Sequence, residues 1–227
     1  MNGEGVIQRT DVMVRAGEVS LEGNLAVPED AVAIVVFAHG SGSSRHSPRN
    51  RFVADAFNAL GLATLLFDLL TPNEETIDLR TGVLRFDIRL LADRLTGAVD
   101  WLGTHPPTQR LRVGLFGAST GAAAALIAAA RRPDSVGAVV SRGGRPDLAG
   151  DALPAVQAAT LLIVGGRDTQ VLELNQQASA LMQVEHHLVI VPGASHLFEE
   201  PGKLAAVAAH AGDWFQQHLA RRDRAAQ

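Results

Sequence analysis

Short apolar runs alternate along this chain with longer segments whose apolar residues recur every three or four positions. AVAIVVFA, over 31–38, is continuously apolar and rich in β-branched residues, the pattern of a strand covered on both faces. LATLLFD, over 62–68, repeats it, and Leu111–Phe116, Val136–Val140, Thr160–Val164 and His187–Val191 predict further strands. Residues 11–16 and 19–27 predict an opening pair of strands around Gly17, with looser alternation. Between these runs, 49–60 suits a helix that Gly61 would end. Leu84, Ile88, Leu91, Leu95, Val99 and Leu102 form one helical face, which predicts a single helix over 84–102. Ser119–Arg131 is a helix of small residues, and Leu172–Met182 is another. Leu204, Val207, Ala208, Ala211, Phe215 and Leu219 mark a closing helix over 203–219. Only a short linker stands between the strands at 136–140 and 160–164. Alternating strands and helices imply right-handed crossovers and a mostly parallel central sheet with helices on both faces, an α/β fold.

Composition narrows the class. With 227 residues and no repeat, low-complexity block or Pro/Gly-rich linker, 1–227 reads as one domain, its last residues, 220–227, a polar tail expected to fray. Apolar residues make up 47 %, enough for a sizeable core. A formal charge of −4 does not suit nucleic acid, which rewards a concentrated positive face. The absence of cysteine excludes disulfides, a thiol nucleophile and cysteine-ligated metals. MNGEGVIQRTDV has no apolar stretch of signal-peptide type, and no run approaches the ~20 residues that span a bilayer. A cytoplasmic protein with no membrane or nucleic-acid partner is the expectation.

Chemistry concentrates at GASTG. The strand 111–116 runs into Gly117, Ala118, Ser119, Thr120 and Gly121, and an Ala-rich helix follows at once. A serine on so tight a strand–turn–helix junction needs neighbours without bulk, and its hydroxyl then stands over free N–H groups at a helix start. A glycine-rich turn packed for structural reasons is the plain alternative. A hydroxyl nucleophile also needs a base, and the base an orienting carboxylate. Asp168 follows the strand that ends VGGRD, and His196 lies in the loop after the last strand, PGASH. Both fall beyond carboxyl ends of strands, where open α/β sheets place their sites. As a turn or helix N-cap residue, Asp168 would have a purely structural role. Two N–H donors for a developing oxyanion are expected from Thr120 and from Ser41 in FAHGSGSS, with Gly42 as the other choice in that loop. A phosphate cradle is the weaker reading of this loop, which lacks both the Walker lysine and GxGxxG spacing. His39 reads as a residue that hydrogen-bonds loop backbone.

HGSGSSRHSPRN, DLLTPNEE, GASTG, SRGGRPDLAG, VGGRD and PGASHLFEEPG occur in the order found in the α/β-hydrolase superfamily. Within it the chain most resembles small dienelactone-hydrolase-like proteins. The resemblance covers nearly the whole chain and implies an α/β-hydrolase fold with a Ser119–Asp168–His196 triad and no cofactor or metal. Dienelactone hydrolases proper use a cysteine nucleophile, so the serine here is a departure that points to a general serine esterase. His196 would take the Ser119 proton as Ser119 attacks an ester or lactone carbonyl, and water would hydrolyse the acyl-enzyme. A thioesterase, acyltransferase or small peptidase would share these residues. A hydrolase-fold binding module without turnover is the reading from a different class.

The linker after 136–140 leaves no room for a helical cap domain, which implies an open site and a small-molecule ester substrate. Arg45, Arg49, Arg80, Arg85, Arg142 and Arg145 fall in segments that would rim it. They either favour an anionic substrate or pair internally with Glu74, Glu75, Asp78, Asp87 or Asp147. Glu199 and Glu200 follow His196 closely: one would hold the histidine or shape the pocket, or, as the plainer reading, they cap the last helix. Trp214 and Phe215 would pack internally or support a dimer, so monomer and homodimer both stay open.

Overall fold

In the computed structural model, which describes residues 6–220, eight strands form one sheet. They are β1 (Ile7–Ala16), β2 (Val19–Pro28), β3 (Ala33–Ala38), β4 (Ala63–Phe67), β5 (Arg112–Ala118), β6 (Val136–Arg142), β7 (Ala159–Gly165) and β8 (His186–Val191). Their spatial order is β1-β2-β4-β3-β5-β6-β7-β8. β1 and β2 pair antiparallel through a full ten-residue register, and β2 joins β4 antiparallel. Every other pair is parallel. β1 alternates loosely because it is an edge strand with few buried positions. β3, β4 and β7 are buried at every position, as their unbroken apolar runs predict. The residues 221–227 of the expected tail lie outside the described part.

The helices are α1 (Pro48–Ala59), α2 (Pro72–Thr81), α3 (Ile88–Leu102), α4 (Thr120–Arg131), α5 (Thr169–Ser179) and α6 (Lys203–Leu219). On one face α1 and α6 close a core around Phe37, Phe57, Phe116 and Phe215, whose rings stand 5.0–5.8 Å apart. On the other face α3, α4 and α5 cover Ile34, Val36, Leu65, Leu115 and Val139. Trp214 and Phe215 are buried in the first of these cores, so they pack internally. Among the described residues no helix is long and apolar enough to cross a membrane.

Three expectations are corrected. The helix over 84–102 is broken: Leu84–Phe86 is a 3-10 turn, and α3 begins at Ile88. Asp87 causes the break, because its carboxylate accepts the Leu90 N–H at 2.9 Å and caps a new helix from a non-helical backbone. α2 had no predicted counterpart. It is started by a capping box in which Thr71 and Glu74 exchange hydrogen bonds, and it is ended by Gly82 at φ 65°. The segment after β6 is not a bare linker but carries a 3-10 stretch, Pro146–Ala155. It is too short to form a cap domain.

The chain passes from β3 to β4 on one side, then returns to place β5 on the other side of β3. That reversal opens a crevice at the carboxyl ends of β3 and β5. The loops bearing Ser41 and Ser119 both start there.

Candidate active site

Ser119 is held at φ 51°, ψ −122°, a backbone region that L residues rarely adopt. Close packing enforces it. A Cβ on Gly117 would come within 2.4 Å of the Ala122 Cα, and one on Gly121 within 2.2 Å of the Ala38 carbonyl oxygen. The Ser119 N–H donates to the Arg142 carbonyl at 3.3 Å, and the Ser119 carbonyl accepts the Arg145 N–H at 3.1 Å. These bonds tie the turn to the segment leaving β6. The Ser119 side chain makes no capping bond to α4, so its hydroxyl is not consumed by local structure.

Asp168 occupies the N-cap position of α5 but leaves capping undone. Its Oδ2 instead lies 2.6 Å from His196 Nδ1. That bond fixes the proton on Nδ1 and leaves Nε2 as the basic nitrogen. The His196 bond runs to Asp168 and not to the Ser119 hydroxyl. Gly143, just after β6, sits against the histidine: a Cβ there would meet the His196 carbonyl at 3.0 Å and Nδ1 at 3.5 Å. Gly165 lies against the same loop, 2.5 Å from the Ala194 and Ser195 carbonyls by the same measure. Phe198, two residues past the histidine, is, among the described residues, the other non-glycine residue with positive φ, at 57°. Its buried ring pins the loop.

Thr120 opens α4, where the first N–H groups have no helical partner. The loop after β3 closes on it, since a Cβ on Gly40 would lie 3.1 Å from the Ser119 Cβ. Ser41 and Gly42 line a cavity of about 490 Å³ beside this turn, together with Ser44, Ser47 and Arg49. His39 supports the loop from below: Nε2 accepts the Leu69 N–H at 3.2 Å, and Nδ1 faces the Gly40 carbonyl at 3.1 Å. Burial lowers its pKa below the ordinary 6.5. The unfolded chain therefore takes up this proton first as pH falls, so the contribution of neutral His39 is full above about 6.5 and is lost below it. His39→Ala is expected to cost about 1–3 kcal/mol by stranding the Leu69 N–H. It should also flatten the acid limb of a urea-midpoint-versus-pH curve, and an unchanged limb would count against this role.

Glu200 does not cap α6, as the sequence suggested. Its two carboxylate oxygens accept the Ser195 N–H at 3.0 and 3.1 Å, and Arg167 Nη1 lies 3.4 Å away. Glu200 thus links the residue before Asp168 to the residue before His196. The Ser195 bond holds its carboxyl below the usual carboxylate range, so this link is lost only as pH falls through that depressed value. Glu200→Ala should lower kcat roughly tenfold with little change in KM, through a misplaced His196. A change confined to KM would rule out that positioning.

The arginines divide. Arg85 pairs with Asp78 at 2.6 Å, Arg145 with Asp147 at 2.7 Å, and Arg45 with Asp68 and Glu22. Internal pairing accounts for these three. Glu74 pairs instead with Arg94, and Arg80 is exposed on α2. Arg142 differs: it is 8 % exposed, and its Nε and Nη1 are enclosed without an acceptor. Burial, with the charge of Arg49 adding to it, lowers its pKa to about 10. Sequence reasoning could name Arg142 but not its isolation.

Comparison with known proteins fits this architecture. Two curated relatives, from two Mycobacterium tuberculosis strains, are provisionally named phosphoribosyl transferases and are 61 % identical over 209 residues. The match takes in 92 % of this chain but 46 % of theirs, so the chain spans about half their length. A lidless α/β serine hydrolase of Xanthomonas campestris shares the fold, at 20 % identity and a TM-score of 0.73 over 94 % of this chain and 96 % of that one. A crystal structure of a dienelactone hydrolase from Anabaena variabilis is 62 % identical, with a TM-score of 0.93 over 94 % of this chain and 99 % of its own. The sequence model of the dienelactone hydrolase family, in turn, matches residues 21–220. With a match of that extent on the fold described above, the chain belongs to the dienelactone hydrolase family.

Proposed function

We propose that this protein is a serine hydrolase that cleaves small carboxylic esters or lactones through an acyl-enzyme on Ser119. Membership of a hydrolase family supports hydrolysis in general. The observation that carries the finer reading is the 2.6 Å Asp168–His196 bond in a loop packed beside the strained Ser119 turn. In this reading His196 Nε2 accepts the Ser119 proton as Oγ attacks the carbonyl, and Asp168 stabilises the imidazolium. Thr120 and Ser41 N–H groups receive the oxyanion. His196 then protonates the leaving alcohol, and water activated by the same nitrogen releases the acid. A side-chain hydroxyl left without a capping bond, on a turn held in a costly conformation, is what such a nucleophile needs.

The phosphoribosyl transferase name belongs to proteins about twice as long. The match takes in 46 % of those proteins, and their name is not carried over to this chain. The test is labelling with a fluorophosphonate probe, with the modified peptide located by mass spectrometry. Modification at Ser119, absent from Ser119→Ala, is expected. A folded wild-type protein that stays unlabelled would overturn the reading and favour a binding module.

A further inference from the structure

The buried residues of α5 are Val171, Asn175 and Ala178, spaced along one helical face. Asn175 is the polar member of this stripe and is fully buried. Its Nδ2 donates to the Gly144 carbonyl at 2.9 Å and to the Val171 carbonyl at 2.8 Å. Two carbonyl acceptors on one side of the amide fix which end is the NH₂. The Oδ1 at the other end is enclosed and has no donor. An enclosed amide with an unmet acceptor costs stability that an apolar residue in the same stripe would not. What its donors hold is therefore the reason to look for.

They hold the segment that leaves β6. Each residue of 142–145 makes one backbone bond outward. The Arg142 carbonyl accepts the Ser119 N–H, the Gly143 N–H donates to the Ile163 carbonyl at 2.8 Å, the Gly144 carbonyl accepts from Asn175, and the Arg145 N–H donates to the Ser119 carbonyl. Ser119 is thus gripped at its own N–H and its own carbonyl by residues on either side of Gly144. Among the described residues, Asn175 supplies the one side-chain bond to this stretch of backbone. Gly144 is also packed close on the α4 side, where an added Cβ would fall 2.0 Å from Ser141 Oγ and 2.4 Å from the Ala122 Cβ. Asp168 is the N-cap residue of the same helix, about two turns before Asn175. One rigid element, α5, therefore carries both the partner of His196 and the anchor of the segment that grips Ser119.

We propose that Asn175 is a positioning residue for Ser119: through the Gly144 carbonyl it holds 142–145 in place, and that segment holds the serine turn in its strained conformation. The proposal rests on the serine-hydrolase reading of Ser119. A non-glycine residue at φ 51° stays there only while its surroundings over-determine it. Without the amide, the Gly144 carbonyl has no donor, 142–145 is free to shift, and the grip on Ser119 loosens. The Asp168–His196 bond does not involve Asn175 and is left intact. The loss falls on attack by Ser119 and not on substrate binding, because Asn175 lies behind the turn with no surface open to a substrate.

Two measurements test it. Asn175→Leu keeps a branched side chain and removes both donors. With 4-nitrophenyl butyrate its kcat should fall about tenfold or more while KM stays within about threefold, and labelling of Ser119 by a fluorophosphonate should slow by a similar factor. Its melting temperature should stay within about 4 °C of wild type, since the stranded Gly144 carbonyl is offset by the loss of the unmet Oδ1. Ala178→Gly is the control on the same buried stripe: it should destabilise at least as much yet leave kcat within about twofold. The second measurement needs no turnover. Amide hydrogen exchange, followed by NMR, should speed up by at least about fivefold at Ser119 and Arg145 in Asn175→Leu, with α6 unaffected. A kcat within twofold of wild type in Asn175→Leu, or an equal loss in Ala178→Gly, would overturn the proposal. So would unchanged exchange at Ser119 and Arg145. If the wild type neither hydrolyses esters nor takes the label, but exchange at those amides still depends on Asn175, the hydrolase reading fails and the hold of Asn175 on the turn stands. Should Asn175→Leu not fold, Asn175→Ala is read by the same criteria.

Discussion

Ser119→Ala is expected to lower kcat for ester hydrolysis on the order of 10⁴-fold or more while leaving the fold intact. The two halves of this expectation have separate causes. The Ser119 side chain makes no capping bond, so removing the oxygen strands no donor and opens no sizeable cavity. Alanine meets the same backbone strain at φ 51° that serine already meets. Stability should therefore stay within about 1 kcal/mol of wild type. In the proposed mechanism the rate loss arises because the attacking oxygen itself is removed. Asp168→Asn should cost a similar order in kcat, since an amide facing His196 Nδ1 favours the wrong tautomer. In the proposed mechanism these groups act on one proton, so combining Ser119→Ala with His196→Gln should be little worse than Ser119→Ala alone. Hydrolysis by Ser119→Ala within tenfold of wild type would exclude the acyl-enzyme route.

The readings that succeeded depend on local necessity. Unbroken apolar runs at 31–38 and 62–68 predict strands buried on both faces, and β3 and β4 are buried throughout. The GASTG turn was legible because its glycines answer to contacts with the elements next to it in the fold. Asp168 and His196 were singled out by their places after strands, and in the structure their side chains lie within hydrogen-bonding distance of each other. The failures have another origin. α2 escaped because its only buried residue is Asp78, while Ile77 and Leu79 face solvent, so no apolar stripe announces it. Its capping box, Thr71 to Glu74, was the signal available. The apolar face over 84–102 persists through Asp87, and periodicity alone does not register a cap. Pairing among arginines was legible only where the partner is near in sequence, as with Arg145 and Asp147. Arg142 lies three residues earlier, yet the sheet turns it toward α1, and its isolation is a property of the assembled fold.

The second large effect concerns space at the helix start. Gly121→Ala is expected to destabilise the protein by about 3 kcal/mol or more. The added Cβ would fall 2.2 Å from the Ala38 carbonyl oxygen, 2.7 Å from the Ala38 carbonyl carbon and 2.7 Å from the His39 carbonyl oxygen. All three are backbone atoms at the end of β3, so no side chain can swing away to relieve the contact. Either α4 or the loop at 39–42 must move. In the proposed mechanism Thr120 and Ser41 supply oxyanion donors from those two segments, so separating them should also lower kcat by about 10²-fold. The melting temperature should drop by roughly 6–12 °C for a chain of this size. Gly61→Ala supplies the contrast. Gly61 has φ 79° with open space around its would-be Cβ. That substitution should cost only the backbone strain, about 1 kcal/mol, and leave kcat untouched. If Gly121→Ala melted within 2 °C of wild type, the close approach of α4 to β3 would not be what holds the serine turn in place.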